Sequence, residues 1–174
     1  EANGEALFKG GKPAGTLSAD ESKYFLFAVD GVRGGILTMP AGPEAGELVS
    51  LEISENRTNR SYTDQNGKIA FHVKTVTRVY LDESDKGGND LDVGTIRSME
   101  EWTEVRLEKG IADVVRKVQK ESGADVFGFG NLIYQKDPKL WRKLEPGWDR
   151  IFPTLAVKVE CEVRIANTAF VKGS

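Results

Sequence analysis

Residues 123–163 read GADVFGFGNLIYQKDPKLWRKLEPGWDRIFPTLAVKVECEV and carry the strongest architectural signal in the chain. This stretch holds two of the three tryptophans, a Gly-Phe-Gly turn and three prolines. Asp137 and Pro138 predict the N-cap and the first residue of a short helix. Residues 155–165 alternate between apolar and mainly charged side chains, which predicts a strand with one buried face. No catalytic grouping of residues is recognisable here, so the stretch indicates a structural or interaction role.

Upstream of this stretch, local signals predict a helix and a long hairpin. Ser18 and Glu21 form a capping box that predicts a short helix over 19–28. Residues 48–54 and 69–79 show the two-residue alternation of strands, and the turn at Asn66-Gly67 predicts that they form a hairpin. The polar residues 56–62 between them are interpreted either as an exposed extension of the first strand or as a flexible hairpin tip. An exposed strand edge here would be able to pair with a partner chain.

A long helix is predicted over 96–122, followed by a left-handed Gly123 that ends it. Gly110 within this helix predicts close packing against the sheet. A short helix is predicted over 130–136. The apolar stripe comprises Ile96, Met99, Thr103, Leu107, Ile111, Val114 and Val118, and the opposite, solvent-facing side comprises Glu101, Glu104, Glu108, Lys117 and Lys120.

These elements predict an α+β fold, namely an antiparallel β-sheet with one long α-helix and several short helices packed on one face. We expect residues 1–174 to form a single domain, because this length suffices for one hydrophobic core. The net charge of −3, with basic residues spread along the chain, argues against nucleic-acid binding. The sequence contains no apolar run long enough to span a membrane.

Four patterns contain residue types that can carry chemistry, and none predicts a catalytic, cofactor or metal site. The acidic segment 82–94, DESDKGGNDLDVG, lacks the EF-hand spacing, so a solvated loop is favoured over a calcium site. Residues 123–130 follow a helix rather than a buried strand, so a tight reversal is favoured over a phosphate loop. His72 and Cys161, each the single residue of its type, are both expected in regular strands, which disfavours a thiol enzyme.

The fourth pattern is a set of aromatic residues that could line a small-molecule cleft or pack in the core. Packing is favoured, because aromatic side chains dominate the burial energy of most cores. The set comprises Phe127, Phe129, Tyr134, Trp141, Trp148 and Phe152.

The segment 123–163 resembles the end of the Ger(x)C family, the C subunits of nutrient germinant receptors in spore-forming bacteria. The shared pattern is an Ala-Asp after a long helix, a Gly-Phe-Gly turn, a Pro-x-x-Trp, a Trp-Asp-x-Ile-Phe and an alternating strand. Residues 6–9, 15–17, 34–36 and 51–54 and the helix around Glu21-Ser22 resemble the beginning of the same C-terminal domain more loosely. The chain departs from the family in lacking a glycine over 164–169 and in its acidic segment, which has no counterpart in the family pattern. The motif residues are Ala124, Asp125, Phe127–Gly130, Pro138, Trp141 and Trp148–Phe152.

The resemblance implies a non-enzymatic, lipid-anchored subunit on the outer surface of the spore inner membrane. It further implies partnership with an integral-membrane A subunit and a transporter-like B subunit during spore germination. The lipid-modified cysteine would lie near the N-terminus of the full-length protein, outside this chain. An alternative is a module that binds a small germinant directly through the aromatic residues.

Overall fold

Six strands and five helices make up the frame of the protein in a computed structural model that describes residues 4–40, 48–81 and 92–166. A π-helical turn (Val118–Ser122) continues the second helix. The strands are β1 (Glu5–Lys9), β2 (Lys12–Leu17), β3 (Gly35–Pro40), β4 (Leu48–Gln65), β5 (Lys68–Leu81) and β6 (Ala156–Ala166). The helices are α1 (Ala19–Ala28), α2 (Val93–Lys117), α3 (Phe129–Lys136), α4 (Pro138–Leu144) and α5 (Trp148–Ile151).

The strands form a small hairpin of β1 and β2 and a four-stranded sheet in the order β3-β4-β5-β6. β3, β4 and β5 pair antiparallel, as predicted, and the predicted α+β class is confirmed. β6, however, runs parallel to β5, with Val73 opposite Val159. The predicted antiparallel pairing therefore does not extend to β6, because the alternation of side chains identifies a strand without giving its direction. The helices between the two strands return the chain to the end of the sheet where β5 began, as a parallel pair requires.

One face of the sheet carries the hydrophobic core. Along β5 the residues facing the helices are buried, whereas the alternate residues are half-buried or exposed. Phe71 of β5 stacks on Phe129 of α3 with ring centroids 4.2 Å apart. The buried residues form one continuous cluster that extends from Leu7 in β1 to Val163 in β6. The short helices and the long helix therefore share a single core with the sheet in the described residues.

Capping contacts confirm the predicted start of α1 and the predicted end of the long helix, whereas α2 begins at Val93, three residues before the predicted start at Ile96. Ser18 N–H donates to Glu21 at 2.7 Å, and the Ser18 hydroxyl accepts from Glu21 N–H at 3.2 Å. Gly123 ends the α2 segment with a left-handed φ of 57°, a conformation that glycine adopts without strain. Lys117, predicted to face solvent, instead contacts Glu21 at 2.8 Å and ties α2 to α1. The hydrogen bond from Lys117 and, after it, the one from the Ser18 backbone N–H lower the pKa of Glu21.

Gly110 allows α2 to approach α1, rather than the sheet as predicted. A Cβ atom at this position would lie 2.3 Å from the Tyr24 ring, far inside van der Waals contact. We expect Gly110→Ala to lower the free energy of unfolding by about 1–2 kcal/mol. The added methyl group would clash with the Tyr24 ring, and the cost of this overpacking exceeds the gain of about 1 kcal/mol from the higher helix propensity of alanine. Urea unfolding measures this change. In a Tyr24→Leu background the same substitution should cost less stability, because the clashing ring is absent. If Gly110→Ala stabilises the protein, Tyr24 does not pack tightly against this position.

Candidate interaction surfaces

The aromatic residues of segment 123–163 are mostly core residues rather than the lining of an open cleft. Phe127, Phe129 and Phe152 are essentially inaccessible to solvent, which confirms the packing interpretation for them. Trp141 and Trp148 meet edge to face with ring centroids 5.2 Å apart, and only a small part of Trp148 is exposed. The remaining member, Tyr134, is 55% exposed on α3.

Asp125 organises this cluster, a role that the sequence did not reveal. One carboxylate oxygen accepts from Phe129 N–H at 3.0 Å, and the other accepts from Gly130 N–H at 2.6 Å and from the Trp148 indole at 3.0 Å. The carboxylate thus satisfies the open N–H groups at the start of α3 and fixes a tryptophan 23 residues away. Because a carboxylate already occupies this helix end, the segment is unsuited to a phosphate group.

The glycines of the Gly-Phe-Gly turn have separate structural roles. Gly128 has a left-handed φ of 71° at the residue before α3. A Cβ on Gly130 would lie 2.7 Å from the Trp141 ring and 3.0 Å from the Trp148 indole nitrogen. The turn therefore brings the backbone of α3 against both tryptophans, which supports the predicted tight reversal.

His72 and Cys161 are not brought together. Phe71 and Val73 face the core, so His72 between them lies on the opposite face of the sheet from buried Cys161. Burial raises the pKa of the Cys161 thiol to about 12, which keeps it protonated at neutral pH. The His72 ring lies 3.3 Å from Glu160 on the outer face. The geometry therefore provides no activated thiol at this pair.

Most of the predicted acidic loop, residues 82–91, lies outside the described residues. Its last aspartate, Asp92, caps α2 by accepting from Gly94 N–H at 2.8 Å and Thr95 N–H at 3.1 Å. The bonds to Thr95 and Gly94 lower the pKa of this carboxyl group. Within residues 4–40, 48–81 and 92–166, no group of three or more His, Cys, Asp or Glu side chains is arranged to hold a metal ion.

Three glutamates of α2 close the outer edge of β6. Glu108 accepts from Cys161 N–H at 3.0 Å, Glu104 from Val163 N–H at 2.9 Å, and Glu100 from Ile165 N–H at 2.9 Å. We call this set the glutamate ladder. The glutamates lie four residues apart on α2, a rise of about 6 Å, and their N–H donors lie two residues apart on β6, a rise of about 6.6 Å. The two spacings therefore match when α2 lies antiparallel along β6.

The glutamate ladder corrects the predicted solvent-facing side of α2. Glu104 and Glu108 are half-buried against β6 and serve as backbone acceptors, whereas Glu101 is exposed as predicted. The signal in the sequence was a run of glutamates at intervals of four residues beside the apolar stripe. A groove of about 620 Å³ lies between α2 and β6 and includes Glu100, Glu104, Glu160 and Arg164.

Residues 56–62 belong to β4 and pair with β5 throughout, which confirms the strand-extension interpretation. Thr58 N–H donates to Asp30 at 2.8 Å, and the Thr58 hydroxyl donates to the Phe27 carbonyl at 2.7 Å. Arg60 donates to the Phe127 carbonyl. The end of α1 and the Phe127 turn therefore cover part of the β4 edge.

Among the described residues, no helix is both long and apolar enough to cross a membrane. The helix of sufficient length, α2, carries many charged residues on its half-buried and exposed sides.

Comparison with known proteins gives a consistent result. Residues 3–169 match the family model described as spore germination B3/GerAC like, C-terminal. Spore germination protein B3 of Bacillus subtilis (strain 168) is 27% identical over 168 residues, which are 95% of this chain and 44% of that protein. Spore germination protein KC of the same organism is 28% identical over 170 residues, which are 97% of this chain and 41% of that protein.

A solved structure shares the fold. The crystal structure of the GerBC protein superimposes with a TM-score of 0.82 at 26% identity and covers 95% of this chain and 51% of that one. The chain thus spans about two fifths to one half of the length of these relatives. The resemblance of segment 123–163 to the Ger(x)C family is confirmed, and the chain belongs to the spore germination B3/GerAC-like family, of which it matches the C-terminal part.

Proposed function

We propose that this chain is a non-enzymatic domain of a spore germinant receptor C subunit, acting in receptor assembly and signalling during germination. The observation that carries the proposal is the match of residues 3–169 to the family model. Spore germination protein B3 aligns with 95% of this chain, in agreement with that match. The internal contacts support it. Asp125, Cys161 and the glutamate ladder are each engaged in packing or backbone bonds, so the most distinctive polar groups serve architecture rather than chemistry.

The proposed setting is the outer surface of the spore inner membrane, beside an integral-membrane A subunit and a transporter-like B subunit. A lipid anchor outside this chain would hold the full-length protein there. Residues 1–174 would act as one domain, which the continuous hydrophobic core from β1 to β6 supports. No cofactor or metal is assigned to this role.

Assembly is tested by co-purification of the A and B subunits with the full-length C subunit. We expect both to be recovered with the wild-type protein and to be lost when a surface patch of this domain is reversed in charge. Recovery that is unaffected by charge reversal on every face of the domain would contradict the assembly role.

The burial of Phe127, Phe129 and Phe152 supports assembly over direct binding of a germinant by the aromatic cluster. A thermal-shift titration of the chain with amino acids, sugars and nucleosides separates the two functions, because a ligand that binds the folded state raises Tm. We expect no shift with any of them. A saturable shift that is lost in Trp141→Ala would favour the ligand-binding alternative.

A further inference from the structure

The two outer strands of the sheet differ in how they are protected. The outward N–H groups of β6 are bound by the glutamate ladder, which leaves little room for a further strand. β3, at the other side of the sheet, carries no charged residue, and Ile36 in it is 59% exposed. Charged residues are a common protection of outer strands, so among the described residues β3 is the less protected edge, with Pro40 at its end as the one residue that lacks an N–H group.

A groove with one mainly apolar part and one more polar part runs beside β3 on the side of α1. It consists of two adjoining cavities of about 190 Å³ and 170 Å³ that share Lys23, Phe27 and Leu37. A strand added to β3 would direct every second side chain toward this groove, because side chains alternate between the faces of a sheet. The apolar lining of the larger cavity comprises Leu26, Phe27, Val32, Ile36, Leu37 and Ile53.

The charges around this groove indicate the chemistry of an occupant. Among the described residues that line the two cavities, Lys23, Arg33 and Arg106 are the cations and Asp20, which lies 3.3 Å from Lys23, carries the single carboxylate. Three cations and one anion leave a net positive rim. A second copy of this chain, pairing β3 with β3 about a twofold axis, would bring these cations toward one another. An acidic partner would neutralise them.

We propose that β3 is the docking edge for an extended, acidic segment of a partner protein, which adds as a fifth strand and places apolar side chains in the groove. This inference rests on the proposed assembly function, whose contact it specifies. Backbone hydrogen bonds to β3 supply the affinity, and the groove and its cations select the segment.

The test uses the 174-residue chain, labelled with ¹⁵N, and the synthetic peptide acetyl-Glu-Thr-Val-Thr-Leu-Thr-Glu-amide. Its Val, Leu and two terminal Glu side chains share one face of a strand, so the apolar pair can enter the groove while the two carboxylates reach the cations around it. We expect saturable shifts of amide signals in β3 and in the groove. In a strand, the N–H groups of alternate residues point to the same edge. Two N-methylated peptides, one methylated at the odd and one at the even positions, therefore each lack the backbone donors of one edge. One of the two N-methylated peptides should therefore bind about tenfold more weakly and the other nearly as well as the parent, a pattern that side-chain binding alone does not produce.

Charge selection is tested in the same titration with the variant Lys23→Glu/Arg33→Glu. We expect it to bind the peptide about fivefold more weakly, whereas the matched control Lys136→Glu/Lys143→Glu, on exposed sites of α3 and α4, binds normally. Absence of shifts in β3, equal binding of both N-methylated peptides, or dimerisation of the chain through β3 would overturn the proposal. Intact co-purification of the A and B subunits alongside such a result would leave the assembly role standing.

Discussion

Replacing Glu100, Glu104 and Glu108 together with alanine is expected to lower the free energy of unfolding by about 3–6 kcal/mol. Each glutamate is the acceptor for one outward N–H group of β6, and Val163 and Cys161 are buried. A buried N–H group that loses its partner costs about 1–3 kcal/mol. Water can enter the groove between α2 and β6, so the cost of each unpaired N–H group lies in the lower half of that range. Guanidinium unfolding followed by circular dichroism measures the change.

Two matched variants distinguish this edge closure from a general effect of charge. Glu100→Gln/Glu104→Gln/Glu108→Gln keeps a side-chain oxygen at each position and should lose less than half as much stability. Glu101→Ala removes an exposed glutamate of the same helix, paired with Arg97 at 3.1 Å, and should change stability by no more than about 0.5 kcal/mol. A triple alanine variant as stable as Glu101→Ala would show that the glutamate ladder contributes nothing to the fold.

Loss of the glutamate ladder should also uncover the edge of β6. Exposed strand edges promote pairing between chains, so the triple alanine variant should self-associate at concentrations where the wild type does not. Sedimentation velocity over a range of concentrations measures this consequence in the same samples.

Asp125→Ala is expected to lower the free energy of unfolding by about 2–4 kcal/mol. This substitution removes the acceptor for two N–H groups of α3 and for the Trp148 indole. Two of those donors, the N–H groups of Phe129 and Gly130, belong to buried residues, so removal of the carboxylate leaves them without this acceptor. Urea unfolding gives the loss of stability, and the near-ultraviolet circular dichroism of the tryptophans reports whether their packing loosens.

The control for Asp125→Ala is Asp149→Ala, which removes an exposed aspartate of α5 that pairs with Lys9 at 2.9 Å. This variant should lose no more than about 0.5 kcal/mol. Asp125→Asn keeps one acceptor oxygen and should fall between the two. If Asp125→Ala unfolds at the same urea concentration as Asp149→Ala, the carboxylate does not hold the cluster together.

Elements with local signals could be predicted from the sequence. The capping box at Ser18 and Glu21 predicted the start of α1, because a helix terminus is specified by residues a few positions apart. The Asn66-Gly67 turn and the alternation on each side of it likewise defined the β4–β5 hairpin. Segment 123–163 predicted α3, α4 and β6 closely, and its tryptophans proved to be packing residues.

Contacts between distant residues could not be predicted in this way. The parallel direction of β6 depends on where α2 returns the chain, which side-chain alternation does not encode. Glu104 and Glu108 lie beside the apolar stripe of α2, and a helix taken alone places such residues toward solvent. Their role requires β6, more than 50 residues later in the chain. Asp125 similarly contacts Trp148, a partner that no local pattern relates to it.

The most direct test of the central claim is germination of spores whose C subunit lacks the region that matches this chain. The remaining protein must be present at wild-type levels, as verified by immunoblotting of the spore inner membrane. We predict loss of the nutrient response served by that receptor, measured as the fall in optical density and the release of dipicolinic acid, and restoration by the full-length protein. A normal nutrient response from spores with the truncated subunit at matched levels would contradict a role of this domain in receptor assembly and signalling.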